Sequence, residues 1–147
     1  MIVFDLDGTL ALDHHRKEHL LKEPKDWDTY FSLCHKDEPH GPIIKVLTAM
    51  SVFGCTIGLW SGRSAKVKDE TMAWLKALQI LPHINDLRLR GEADFTQDDI
   101  LKKQWLHAWN AAHPEDPVTL VFEDRKRVVD MWRENGVVCC QVAPGDF

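Results

Sequence analysis

The amino-acid sequence predicts a three-layer α/β fold, with a mainly parallel five-stranded sheet covered by helices on both faces. Two patterns predict it: short apolar runs, several rich in Val and Ile, and longer segments of helical periodicity between most of them. When strand and helix alternate in this way, each connection carries the chain back to start the next strand in the same direction. With 147 residues, 44% of them hydrophobic, the chain has material for one domain with a real core, since domains commonly run about 100–150 residues.

Strands are expected at residues 2–6, 56–60, 87–90, 119–122 and 137–142. Residues 64–80 read as a helix because Val67, Thr71, Trp74, Leu75 and Leu78 recur at helical spacing and Pro82 follows. Leu101, Trp105, Trp109 and Ala112 repeat the pattern before Pro114, and Asp98 and Asp99 suit the first turn of that helix, where its dipole favours anions. Residues 125–135 carry Val128, Val129 and Trp132 toward one side, and Gly136 supplies a stop. One stretch breaks the rhythm. About thirty residues, 12–41, precede the next core helix, which is longer than an ordinary connection. Within it Trp27, Tyr30, Phe31 and Cys34 fall at i, i+3, i+4 and i+7, with Pro24 near the start, so a short helix is expected beside or over the functional edge. The chain therefore reads as a single domain, 1–147, with a small flap or cap insertion at about 12–41.

Composition narrows the function classes. The apolar start is followed at once by charge, and no run approaches the roughly 18 apolar residues of a membrane span, so no membrane is expected and the cytoplasm is. Cys34, Cys55, Cys139 and Cys140 show no Cys-x-x-Cys spacing and read as mostly buried thiols of a reducing compartment. A formal charge of −5 argues against a broad surface that coats nucleic acid. The eight histidines lack a second regular ligand pair beside His15 and His19, or beside Cys34, His35 and His40, which argues against a zinc site. Trp74, Trp105 and Trp132 stand at helical positions that fill cores, whereas Trp27 and Tyr30 remain open between filling the core and stacking on bases.

Parallel sheets bind ligands beyond the carboxyl ends of their strands, and three of those ends are chemically loaded. The first runs into Asp5-Leu6-Asp7-Gly8-Thr9, where residues two apart point the same way and bring two carboxylates together. By average residue usage this pentapeptide pattern arises by chance in such a chain on the order of once in a thousand. The second runs into Ser61-Gly62-Arg63: a hydroxyl, a flexible turn and a guanidinium suited to phosphate. The fourth delivers Glu123 and Asp124, which carry a desolvation cost unless something positive compensates them. An all-oxygen carboxylate set suits Mg²⁺, which commonly joins one or two carboxylates to a substrate phosphate. Lys102 stands one turn after Asp98, at the spacing of an intrahelical ion pair that would hold its ammonium in place.

In this order, the Asp-x-Asp-Gly-Thr element, the strand-end Ser61, the helical Lys102 and the Glu123-Asp124 pair resemble the four motifs of haloacid dehalogenase (HAD) phosphatases. The segments 90–94, 98–102, 123–132 and 141–147 are similar to the 3′-phosphatase domains of bacteriophage polynucleotide kinases. The resemblance implies a HAD-like Rossmannoid fold and a phosphatase acting through an aspartyl-phosphate. It casts Asp5 as nucleophile, Asp7 as general acid and base, and Ser61 with Lys102 as phosphate holders. Arg16, Arg63 and Arg90 would grip the substrate, with Thr9, Gly62 and Asp98 on the same side. Asp5, Asp7 (through its carbonyl), Asp124 and Glu123 would form the metal side, with Asp124 as the direct ligand where close relatives usually carry Asp in place of Glu123.

The implied substrate is a 3′-phosphorylated nucleic acid end. A small metabolite or mononucleotide is the alternative, and a non-catalytic binding module ranks low because Asp5 and Asp7 are both present. No Gly-x-x-x-x-Gly-Lys-Ser/Thr loop occurs, so no kinase domain is expected, and a separate kinase or ligase is a candidate partner. Were the source a phage, the compartment would be the host cytoplasm.

Overall fold

The computed structural model describes residues 1–145; Asp146 and Phe147, the end of the segment 141–147, lie outside the described residues. In chain order the elements are β1 (Ile2–Phe4), β2 (Ala11–Leu12), α1 (Trp27–Ser32), β3 (Glu38–Pro39), α2 (Gly41–Val52), β4 (Ile57–Ser64), α3 (Lys68–Ala77), β5 (Asp86–Arg90), α4 (Asp98–Ala112), β6 (Leu120–Arg125), α5 (Lys126–Glu134) and β7 (Val138–Gly145). Five strands form one sheet in the order β5-β4-β1-β6-β7, and every neighbouring pair is parallel.

Alternation along the central strand builds the two cores. Ile2 and Phe4 point to one face, where they join Leu47, Ile57, Leu59, Trp74 and Leu75 from β4, α2 and α3. Val3 points to the other and joins Trp60, Leu106, Trp109, Val128 and Trp132 from β4, α4 and α5. A strand buried on both sides has no polar face to show, which is why these runs read as continuously apolar. Trp74 and Trp132 are buried and Trp105 is partly buried against the second core, as their helical positions imply. Leu101, Leu106 and Trp109 form the buried side of α4, and Val128, Val129, Met131 and Trp132 that of α5.

The insertion contains the short helix expected from its periodicity, with Tyr30 and Cys34 buried. Asp26 caps it by accepting from the Thr29 amide at 3.1 Å. Beyond that expectation, its two ends are pinned together by antiparallel pairing of β2 and β3, with Ala11 opposite Pro39 and Leu12 opposite Glu38. Each strand is two residues long and one contains proline, so no alternation announces them.

The strand bounds differ where the chemistry lies. β4 continues through Ser61, Gly62 and Arg63 to Ser64, with a register shift against β5 between Ser61 and Ser64, and α3 starts only at Lys68. β6 likewise carries Glu123 and Asp124 inside the strand. Among the cysteines, which are all free thiols, Cys34 and Cys139 are buried, Cys55 is half-buried and Cys140 is exposed. Cys140 departs from the expected burial because neighbours on the edge strand β7 point to opposite sides. Among the described residues no helix is long and apolar enough to cross a membrane.

Candidate active site

The sheet order reverses at β1, with β4 and β5 to one side and β6 and β7 to the other, and such a switch point opens a crevice at the strands' carboxyl ends. Phe4 pairs in register with Leu59 and with Phe122, so the residues that follow on all three strands reach the same edge. The Asp5 amide continues the ladder by donating to the Phe122 carbonyl at 3.0 Å. Asp5, Ser61, Glu123 and Asp124 are thereby gathered, all of them buried. Gly8 turns the chain with a positive φ of 84°, and a Cβ there would collide with the Asp124 carboxylate, so glycine is required on both counts.

Lys102 reaches this edge from α4. Its Nζ donates to Asp5 Oδ1 at 2.5 Å and to Glu123 Oε2 at 2.7 Å. The expected partner, Asp98, instead accepts from Arg90 and Arg125, because the lysine side chain is drawn inward to two buried carboxylates. Burial alone would lower the ammonium's pKa, but Asp5 and Glu123 outweigh it and the group is held firmly charged. Burial pushes the Asp5 carboxyl well above the usual range; Lys102 pulls it back and the neighbouring Glu123 charge adds to the rise. Burial and then the Asp5 charge push Asp124 up to about 7.

Asp7 sits in the opposite electrostatic condition. Burial would raise its pKa, yet the guanidinium groups of Arg63 and Arg16, both hydrogen-bonded to its carboxylate, hold it at about 2. At neutral pH Asp7 is an anion able to accept a proton; donating one requires that it first be protonated against the pull of both arginines.

Asp5, Asp7, Ser61, Gly62, Arg63, Arg90, Asp98, Lys102, Glu123 and Asp124 all line one open cleft of about 670 Å³. Thr9 and Arg16 are fully buried and stand outside its lining; Thr9 Oγ1 has no partner among the described residues. The sequence treats Arg16, Arg63 and Arg90 as one set, and the structure divides them. Arg16 and Arg63 bind Asp7 and Asp37, whereas Arg90 donates to the Gly62 carbonyl at 3.1 Å, to the Thr96 carbonyl and to Asp98, holding the loop between β5 and α4. Gly62 lets Asp98 approach that closely, since a Cβ there would meet its carboxylate.

Two acidic residues escaped the sequence reading. Asp13, at the cleft wall, accepts from the Tyr30 hydroxyl at 2.7 Å, and Asp37 is wholly buried among arginines. In sequence Asp37 lies in a His-Lys-Asp-Glu run that reads as solvated surface, and only the fold reveals its partners. Trp27 and Phe31 line the cleft beside Tyr30, so the insertion forms one wall, and Phe95 stands at its rim 92% exposed.

The donor set suits a hard divalent cation. Asp5, Glu123 and Asp124 each offer an oxygen, all within 4.8 Å of one another, and the Lys102 ammonium is hydrogen-bonded to the first two. The raised carboxyl pKa values mark a charge deficit that such an ion would relieve. For Asp124 the sign is definite. A carboxyl raised from its ordinary 3.8 to about 7 favours the fold at low pH and loses that contribution as pH climbs through neutrality. The metal-free protein is therefore expected to melt at lower temperature at about pH 8 than at about pH 5, with added Mg²⁺ giving its largest upward shift at the higher pH. Thermal melts in chelator and in Mg²⁺ check this, and a metal-induced shift that is larger in acid contradicts it.

A parallel sheet bearing an Asp-x-Asp strand end, a buried lysine and an acidic pair at its switch point defines a phosphatase of the haloacid dehalogenase class. Within it, the chain belongs to the family of polynucleotide kinase PNKP phosphatase domains, whose profile matches residues 1–147. Among solved structures it is similar to a chain of a Pnkp1/Rnl/Hen1 complex, with 31% identity and a TM-score of 0.81 over 99% of this chain and 46% of that one. A second structure, of the Pnkp1/Rnl/Hen1 RNA repair complex, matches with 30% identity and a TM-score of 0.81 over 99% and 43% of the two chains. This chain thus spans under half the length of those relatives. The fold is also that of the Bacillus subtilis protein YfnB, described as a HAD hydrolase bound to magnesium, at 10% identity and a TM-score of 0.65 over 95% and 85%.

Proposed function

We propose that this phosphatase domain is Mg²⁺-dependent, forms an aspartyl-phosphate on Asp5 and removes 3′-phosphates from DNA or RNA ends. The observation that carries the reading is the buried Asp5 carboxylate set against Lys102 and beside Asp124 at the floor of an open cleft. Membership of the polynucleotide kinase phosphatase family supports the substrate class.

Asp5 and Asp124, with the Asp7 backbone carbonyl, would hold Mg²⁺, and Glu123 stands beside them tied to Lys102. Bound there, the ion offsets the repulsion between an anionic nucleophile and an anionic phosphate. Lys102 keeps Asp5 oriented, and with the Ser61 hydroxyl it offers positive charge and a donor to the phosphoryl oxygens. Asp5 attacks phosphorus as the ester oxygen departs. Asp7, once it has taken up a proton from water, would give it to that oxygen, and afterwards takes a proton from the water that releases Asp5. Arg16, Arg63 and Arg90, with Thr9, Gly62 and Asp98, shape the substrate side around this centre.

An end-directed enzyme needs to grip few phosphates. The exposed Phe95 and the half-exposed Trp27, with Lys25, Lys66 and Arg127 at the mouth, offer room for a terminal nucleotide and its neighbour. Two similar structures come from a repair assembly, which supports a setting where a separate kinase or ligase works on the same ends. Phosphate release is expected from 3′-phosphorylated oligonucleotides in Mg²⁺, far less from 5′-phosphorylated ones or from the matching mononucleotide, and none in chelator. Its dependence on salt should correspond to about one to three phosphate contacts. Equal turnover of the mononucleotide would refute the polynucleotide assignment while leaving the phosphatase chemistry intact.

A further inference from the structure

The cluster least explained by the chemistry above lies behind Asp7. Asp37, at the far end of the insertion, is fully buried, and its carboxylate takes four hydrogen bonds. Oδ1 accepts from Arg16 Nε at 2.7 Å and from the His15 ring at 3.0 Å. Oδ2 accepts from Arg16 Nη2 at 2.6 Å and from Arg63 Nη2 at 2.8 Å. Those same two Nη2 atoms donate to Asp7 Oδ1. Two arginines from distant parts of the chain are therefore each shared between one carboxylate that faces the cleft and one that does not.

We infer that Asp37 is a positioning residue for the phosphatase reaction: it fixes the Arg16 and Arg63 guanidinium groups so that they aim Asp7 into the cleft. Geometry supports this assignment in three ways. Arg16 is gripped along its Nε–Nη2 edge by both oxygens of Asp37, the fork that best restrains a planar guanidinium. Its flat face lies 4.1 Å from the Tyr30 ring centre, and its Nη1 donates to the Tyr30 carbonyl, so little freedom remains. Asp37 is itself anchored, since its carbonyl accepts from Trp74 Nε1 of α3 at 2.9 Å. The insertion thus does more than wall the cleft. Its two ends, pinned by β2 and β3, supply Arg16 and Asp37, and without the second the two arginines would face Asp7 with unbalanced positive charge and would lose the carboxylate that holds both.

The inference rests on the Asp5 and Asp7 chemistry proposed above and is independent of the 3′-end assignment, so turnover is measured on both p-nitrophenyl phosphate and a 3′-phosphorylated oligonucleotide. Wild-type rates on the two substrates judge the substrate reading; the ratio of variant to wild type on either judges Asp37. Asp37→Asn, assayed well below its melting temperature, is expected to lower kcat by about tenfold to a hundredfold per folded molecule, with KM changed much less. Combined with Arg16→Lys, it should add little to the loss that the slower single variant shows, because both act on one network. His15→Ala, which removes an Asp37 contact that does not lead to Asp7, should leave kcat within about twofold. If Asp37→Asn does not fold, Asp37→Glu carries the test: displacing the carboxylate by one methylene should also lower kcat, to a lesser degree. Full kcat in Asp37→Asn, or in Asp37→Glu where that variant carries the test, or losses that multiply fully with Arg16→Lys, would overturn the inference and leave Asp37 a purely structural ion.

Discussion

Asp5→Asn is expected to reduce phosphate release by on the order of 10⁴-fold or more while leaving the fold intact, the scale on which removing a nucleophile usually acts. The amide matches the carboxylate in shape, so Lys102 can still donate to its oxygen and the adjoining strands need not move. What disappears is the anionic oxygen able to attack phosphorus. Burial already disfavours that anion, and Lys102, together with the proposed cation, would keep it available, so the substitution removes a charge whose maintenance the surrounding site serves. Stopped turnover with a normal melting curve is the expected pair of results. Mass spectrometry after acid quench gives a second readout: a phosphorylated form of the wild-type chain that is missing from Asp5→Asn. Near-normal turnover would show that phosphorus is attacked by another group.

Lys102→Met should produce the largest combined loss. Its Nζ stands 2.5 Å from Asp5 and 2.7 Å from Glu123, and both acids are buried, so removing the ammonium strands two carboxylates without compensation. Breaking one side of a buried ionic cluster typically costs about 3–5 kcal/mol, and losing one preorganised donor to the transition state costs about 10²–10³ in kcat. Methionine keeps a flexible unbranched chain, which separates the charge from simple cavity formation. The loss of stability should grow with pH. Without the ammonium, both carboxyls titrate higher in the fold than in the unfolded chain, so their protonated forms favour folding in acid and that contribution fades as pH rises through their folded values. Denaturant unfolding in chelator at about pH 5 and about pH 8 measures it. Equal stability at both, together with retained activity, would show that the lysine is incidental.

The parts of the site that could be read along the chain share one property: each lies on or just after an apolar strand or at a helical position whose direction the local period sets. Asp5 and Asp7 stand two residues apart just after one strand, Glu123 and Asp124 lie near the end of another, and Lys102 is one turn into α4. Partner choice was not legible in the same way. Local spacing paired Lys102 with Asp98, but in the fold two buried carboxylates win the lysine because an uncompensated buried charge costs far more than a surface pair returns. Asp37 shows the same limit, since a charged run of short-range polar residues looks solvated until β2, β3 and Trp74 bury its centre.

The sequence by itself determined the parallel sheet, its two helical layers, the strand ends that bear the chemistry and the carboxylate set suited to a hard cation. These follow from periodicity and residue type, which act over a few residues. Only the tertiary structure decided which charges meet: Lys102 with Asp5 and Glu123, Arg90 with Asp98, and Arg16 and Arg63 with both Asp7 and Asp37. The reason is that an ion pair's strength depends on burial and on every neighbouring charge, and neither quantity exists until separate stretches of chain have packed together.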